Sequence, residues 1–182
     1  LLKETGLKPK AKWVLAEGSD TSGMTRSIPI EKILDDCLIA WAMNGEALRP
    51  EQGYPARLVV PGWEGNMWVK WIRRLEFGDK PYMTREETSK YTDLLTDGKA
   101  RMFTWVMEAK SVVTSPSPEK PILHKGIQQL RGLAWSGKGK IKRVDVSLDG
   151  GKNWRTAQLH APIMSKSLVR FTLPFEWSGE EL

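Results

Sequence analysis

The sequence predicts an α+β chain in two parts, a mixed α/β piece over residues 1–105 and an antiparallel β-sandwich over residues 106–182. Three observations carry this. In the first part, short apolar or alternating runs are separated by glycine- and proline-bearing loops and one brief helical stretch. In the second, short strands recur at sandwich spacing with turn residues between them. Charge divides the same way. Residues 1–100 hold 15 basic and 15 acidic side chains and residues 101–182 hold 13 and 7, so the +6 excess lies wholly in the second part.

Taken in order, Trp13-Val14-Leu15-Ala16-Glu17 reads as a buried strand, followed by a polar turn over Gly18–Gly23. Ser27-Ile28-Pro29-Ile30 leads into a short helix that starts near Pro29. Ile39–Met43 reads as a strand that ends at an Asn44-Gly45 turn, and Leu48–Pro55 as a rigid, proline-bounded loop. Arg57–Val60 is a β-branched strand stopped by Pro61-Gly62, and Val69–Phe77 alternates as a strand should. From Gly78 to Gly98 the chain is polar without clear period, a covering arm or interdomain link. The boundary falls between residues 97 and 116, before Pro116, Pro118 and Pro121. Strands follow at Gln129–Ala134, Ile141–Leu148, Thr156–Leu159 and Val169–Pro174, with Asp149-Gly150-Gly151 as a hairpin turn. Within 141–148, Val144, Val146 and Leu148 share the buried face.

Several functions are excluded early. No window approaches the ~18 apolar residues a membrane span needs. One cysteine, Cys37, allows no internal disulfide and no cysteine-built zinc site, and it reads as a buried structural thiol because Asp35 and Asp36 would raise its pKa. Only His124 and His160 are present, so a multi-histidine metal centre would need nearly every histidine in the chain, and no metal ligand is assigned. The basic second part carries no nucleic-acid reader motif, and no nucleic-acid partner is expected. Phosphate-loop, zincin and serine-hydrolase motifs are absent too. The chain opens Leu1-Leu2-Lys3-Glu4 and reads as a piece of a longer protein.

Polar anchors concentrate in the loops of the first part. Asp20, Gln52, Arg57 and Lys70 sit at strand ends or in glycine-bearing turns, where a scaffold can aim them at a ligand. Arg57 and Lys70 could hold a phosphate, one through a planar fork and the other as a point charge. Asp20 could accept from an amino-pyrimidine edge. Surface pairing and loop capping account for the same residues. Likewise, Trp63–Trp71 is either a core-packing strand or a loop wrapping a cofactor, with Lys70 at its phosphate. Lys138, Lys140, Lys142 and Arg143 crowd one strand and the turn before it, as edge protection or as a docking face for an acidic partner.

Longer stretches carry a resemblance. Ala40–Leu48, Gly53–Gly62 and Val69-Lys70-Trp71 resemble the sulfite oxidase family of molybdopterin enzymes. Gly132–Gly137 and Val144–Trp154 resemble that family's immunoglobulin-like dimerisation domain, and Pro81–Asp93 is most similar to its sulfane-dehydrogenating branch. The resemblance implies a molybdenum-molybdopterin cofactor and pterin-binding roles for Asp20, Gln52, Arg57, Trp68, Val69 and Lys70. It also implies a pocket formed by Arg57 and Trp41. Trp41 stands where a tyrosine is frequent, and Gln52 where a histidine is; indole and amide keep hydrogen-bonding capacity without a titratable proton. The family's metal-ligating cysteine would lie upstream of Leu1, and a substrate-pocket arginine beyond Leu182. Cys37 matches no ligand position.

The expectation is therefore a C-terminal fragment of a periplasmic molybdenum oxidoreductase. It would oxidise an anionic sulfur substrate (sulfane sulfur or sulfite), pass electrons to a c-type cytochrome and form a homodimer through the sandwich. The fragment by itself would be inactive. The alternative is a non-catalytic dimerisation or assembly module lacking the metal-ligand cysteine.

Overall fold

In the computed structural model, residues 1–179 are described and the chain divides into two compact units, Leu1–Trp105 and Val106–Leu182. The last residues of the expected sandwich, 180–182, lie outside the described part.

Unit 1 runs through α1 (Leu2–Thr5) into β1 (Trp13–Gly18), whose Val14 to Gly18 are all buried. Continuous burial explains the unbroken apolar run, since both faces of a central strand are covered. β2 (Thr25–Pro29) pairs with it antiparallel, from Trp13 opposite Pro29 to Glu17 opposite Thr25. Pro29 precedes α2 (Ile30–Asp35), and β3 (Leu38–Ala40) follows. β4 (Ala42–Met43) and β5 (Glu46–Ala47) form a hairpin around Asn44 and Gly45, whose φ values of 54° and 83° suit its two-residue turn. β6 (Arg57–Val59) pairs with β3 so that Arg57 lies opposite Ala40. β7 (Ile72–Gly78) completes the main sheet, in the order β2-β1-β7.

Ala16, Ile28, Leu58, Val60, Met67 and Val69 form the core of this unit, with Trp63, Trp68 and Trp105 packed against it. Apart from Ala16, each side chain of that core contributes roughly 1.5–3 kcal/mol when fully buried. The burial fastens the loop over residues 65–70 to the sheet. Trp63 stacks on Trp105 at 4.8 Å, which uses the aromatic-rich sequence for packing.

Three expectations change here. The strand expected at 39–43 is broken at Trp41, because Leu38–Ala40 pairs with β6 while Ala42–Met43 turns into its own hairpin. The strand expected from Val69 begins only at Ile72: Trp71 has a φ of 50°, a conformation no ladder accommodates, and its carbonyl accepts Ser19 N–H at 2.9 Å. The polar stretch after Gly78 contains α3 (Arg85–Ser89), β8 (Thr92–Leu94) and β9 (Ala100–Met102). It also sends Glu87, fully buried, into the interior of unit 1. β2 lacked a sequence signal because its Arg26 and Ser27 are polar yet completely buried.

Unit 2 is antiparallel. β10 (Lys110–Ser115) and β11 (Gly126–Trp135) precede a small hairpin of β12 (Asp145–Val146) and β13 (Arg155–Thr156). β14 (Gln158–His160) and β15 (Val169–Trp177) complete a four-stranded sheet in the order β10-β11-β15-β14. Leu130, Ala134, Val169, Phe171, Leu173 and Phe175 bury one face of it, and Ile141, Val144, Val146 and Leu148 pack on that face. The alternation expected over 141–148 therefore holds, although only Asp145–Val146 is laddered. With 138–143 outside any strand, edge protection loses its basis. Lys138 pairs with Glu108 at 2.9 Å and Arg143 with Asp145 at 2.8 Å.

Candidate functional site

The expected anchors come together around a single-turn 3-10 helix, Pro50–Gln52. Pro50 fixes its first residue, and the Gln52 side-chain oxygen accepts Arg49 N–H at 2.9 Å, closing the turn on itself. Its three successive carbonyls each take a different side chain. Trp71 Nε1 donates to Pro50 O at 2.9 Å, Lys70 Nζ to Glu51 O at 2.9 Å, and Arg57 Nη1 to Gln52 O at 2.9 Å. Arg57 Nη2 also donates to Trp68 O at 3.1 Å, so one guanidinium ties the turn to the 65–70 loop. Among the described residues, Arg57 Nε is buried without a partner. Burial pulls the Arg57 pKa below its ordinary value.

Two glycines permit this convergence. A Cβ on buried Gly53, whose φ is 109°, would lie 2.9 Å from Lys70 Cβ and 3.1 Å from Arg57 Cβ. At Gly18 it would lie 2.8 Å from Lys70 O and 3.0 Å from Asp20 Oδ1, so the 18–20 loop rests directly on the lysine backbone. Asp20 accepts Ser22 Oγ and, at 3.1 Å, Met24 N–H. The Ser22 hydroxyl chiefly, with the Met24 amide and the Lys70 charge, holds its carboxyl below the usual range. Loop capping thus engages Asp20, and the anchors nevertheless converge.

The other candidates differ in what they can offer. Val69 is 1% exposed and faces the core, leaving its backbone for any contact; its carbonyl already accepts Leu58 N–H at 2.8 Å. Trp68 is half-buried and donates Nε1 to Trp63 O at 3.2 Å, with Arg57 over its ring at 5.7 Å. Trp41 is 71% exposed and follows Ala40, the ladder partner of Arg57. An open depression beside the turn is lined by Ser19, Asp20, Thr21, Pro55, Trp71 and Ile72. Cys37 is half-buried against the core, a softer burial than the sequence suggested. His124 is exposed, and His160 bonds Thr172 Oγ1 at 2.7 Å in unit 2. Among the described residues, no three histidine, cysteine or acidic side chains are grouped to hold a metal ion, and no helix is long and apolar enough to cross a membrane.

Sequence reasoning missed Trp71 as a donor and the 50–52 carbonyls as acceptors. Pro50 and Gly53 bracketing the turn were the available signal, but backbone acceptors leave no residue-type signature.

Both parts of the chain match known domain families. Residues 1–86 match the oxidoreductase molybdopterin binding domain, and residues 101–172 the Mo-co oxidoreductase dimerisation domain. Mitochondrial sulfite oxidase of Drosophila melanogaster is 34% identical over 87% of this chain and 31% of its own length. NADH nitrate reductase of Solanum lycopersicum is 33% identical over 99% of this chain and 23% of its own. Among solved structures, the sulfane dehydrogenase SoxCD of Paracoccus pantotrophus is 62% identical with a TM-score of 0.92, over 98% of this chain and 46% of that one. The chain thus spans between about a quarter and a third of these curated relatives and under half of that solved chain. With both domain families matched in order and the fold shared at that identity, the chain belongs to the sulfite oxidase family of molybdopterin oxidoreductases.

Proposed function

We propose that this chain is the cofactor-anchoring and dimer-forming part of a molybdenum oxidoreductase that oxidises an anionic sulfur substrate, sulfane sulfur or sulfite, and delivers the electrons to a c-type cytochrome. The observation that carries the reading is the pair of cations drawn onto one turn, with Arg57 Nε buried and unsatisfied beside it. A buried donor without an acceptor is costly, and an anionic or carbonyl-rich ligand group would relieve it. Arg57 and Lys70 keep further donors beyond those given to the turn, as a phosphate-bearing pterin requires. The donor set therefore fits the molybdenum cofactor, which when bound supplies two-electron oxygen-atom transfer with water as the oxygen source.

The protein's share is binding and orientation. Lys70 and Arg57 hold the anionic end, the Gly53 approach fixes their spacing, and the Arg57 charge biases the adjoining space toward anions. Trp41, exposed beside the Arg57 strand, is the proposed pocket wall. Lys140 and Lys142 supply positive charge for an acidic cytochrome face, since Lys138 and Arg143 are already paired. The similarity of Pro81–Asp93 to the sulfane-dehydrogenating branch supports a periplasmic setting.

A homodimer through unit 2 is supported by the outer face of its sheet. Ile127 is 85% exposed there, and Arg170 and Glu176 lie toward opposite ends of β15, so a two-fold copy can set each against its opposite.

The test uses the longer protein that contains this segment. Purified material is expected to carry molybdenum and pterin in equal amounts and to reduce a c-type cytochrome with sulfite or a protein-bound sulfane. Arg57→Met with Lys70→Met should abolish pterin retention. Stoichiometric pterin in that double variant would defeat the assignment of these anchors, and a pterin-free, dimeric wild type would support an assembly module instead.

A further inference from the structure

We propose that the buried Arg26–Glu87 ion pair is a positioning device for the Trp68-Val69-Lys70 segment, acting through Met67. The proposal rests on the reading of that segment as cofactor-binding.

Both side chains are fully buried, with Arg26 Nε 3.1 Å from Glu87 Oε1. The same Nε donates to Met67 Sδ at 3.0 Å. Met67 is 0% exposed and ends the 3-10 turn Gly65–Met67, so the next residue is Trp68. Trp68 N–H closes on Gly65 O at 3.1 Å, and Trp68 O is an acceptor for Arg57. A continuous path of contacts thus runs from the buried pair to the candidate site. Glu87 is itself held from several sides. Its Oε1 accepts Ser27 N–H at 3.0 Å, its Oε2 accepts Thr84 Oγ1, and its carbonyl accepts Thr92 Oγ1 at 2.7 Å. The Tyr91 ring lies 4.2 Å from Arg26 Cζ.

Stability alone is a poor reason for such a pair. Removing two charges from water usually costs as much as their attraction returns, and well-packed apolar replacements are often neutral or stabilising. Here the balance is worse than usual, because Arg26 Nη1 and Nη2 have no hydrogen-bond partner among the described residues. Asn66 Oδ1 and Trp105 Nε1, on the same turn and on the residue whose carbonyl accepts Glu64 N–H, are also buried and unpartnered. An apolar interior would seat the turn with fewer orphaned groups. What it would not supply is direction: a guanidinium locked by a carboxylate aims one donor at the Met67 sulfur and so sets where the 65–67 turn, and the residues after it, can lie.

The experiment compares wild type with Arg26→Met/Glu87→Gln, which removes both charges together, and with Met67→Leu, which keeps volume and removes the sulfur acceptor. Amide hydrogen exchange is read on peptides covering 65–71, 84–91 and 13–18, alongside thermal unfolding and pterin content of the longer protein. A positioning role predicts at least tenfold faster exchange at the Trp68 amide in both variants, unchanged exchange in 13–18, a melting midpoint within about 3 °C of wild type and at least tenfold lower pterin retention. Exchange that rises only in 84–91, or a midpoint that falls in parallel with pterin loss, would overturn it in favour of a purely structural pair. Faster exchange at 65–71 with pterin absent from wild type as well would leave the positioning geometry standing and sink the cofactor reading of the segment.

Discussion

Replacing Gly53 by alanine tests the convergence of the anchors directly. The new methyl would meet Lys70 Cβ at 2.9 Å and Arg57 Cβ at 3.1 Å, and Lys70 Cα at 3.1 Å. None of these is the free end of a flexible side chain, so relief requires moving backbone. A φ of 109° adds strain, since a residue with a Cβ loses roughly 1–2 kcal/mol in left-handed space. Overpacking of a close site costs about 1–3 kcal/mol. Together these give ~2–5 kcal/mol, which for a unit of this size corresponds to a drop of ~8–20 °C in the melting midpoint. Gly45→Ala is the control. Gly45 also has positive φ, at 83°, but nothing lies within 4 Å of the position its new methyl would take, so only the backbone cost of ~1–2 kcal/mol applies. Circular dichroism melts of both variants, with pterin content of the longer protein, decide the matter. Equal midpoints for the two variants would refute the claim that Gly53 exists for the close approach of Arg57 and Lys70.

Three further outcomes follow from the same contacts. Arg57→Lys keeps the charge but cannot span Gln52 O and Trp68 O together; it should destabilise unit 1 by ~1–3 kcal/mol in denaturant unfolding and release pterin. Asp149 is held at a pKa of about 2, chiefly by the Asn153 amide, with the Asn153 side chain and Ser147 adding to it. Because its folded pKa lies below the unfolded one, its contribution is present above about pH 4 and is lost as pH falls through about 2. Asp149→Asn should therefore melt below wild type at pH 7, with the difference closing toward pH 2. Arg170→Glu should dissociate the proposed dimer in sedimentation velocity, and adding Glu176→Arg should restore it; a monomeric double variant would count against that two-fold pairing.

Several strands and turns in each unit were legible in the sequence because periodicity and punctuation are local. β1 as a continuous apolar run, the Asn44-Gly45 hairpin and the inward set Val144, Val146 and Leu148 each follow from residues close along the chain. The motif order from Ala40 to Trp71 likewise carried the family resemblance.

Other features depend on partners far away in sequence, and these only the tertiary structure decided. Arg26 and Ser27 look like loop residues until Glu87, 60 positions beyond Ser27, supplies the acceptor that lets them be buried in a strand. Trp71 reads as one more strand position, yet its left-handed backbone and its bond to Pro50 O end the ladder and create the hub at the 50–52 turn. The orphaned Nε of Arg57 is invisible in composition, because a guanidinium's remaining need is fixed only after backbone carbonyls have taken donors on its Nη1 and Nη2. Residue type sets what a group can bond, and chain topology sets which of those bonds are already made; the second is what turns separated charges into a site.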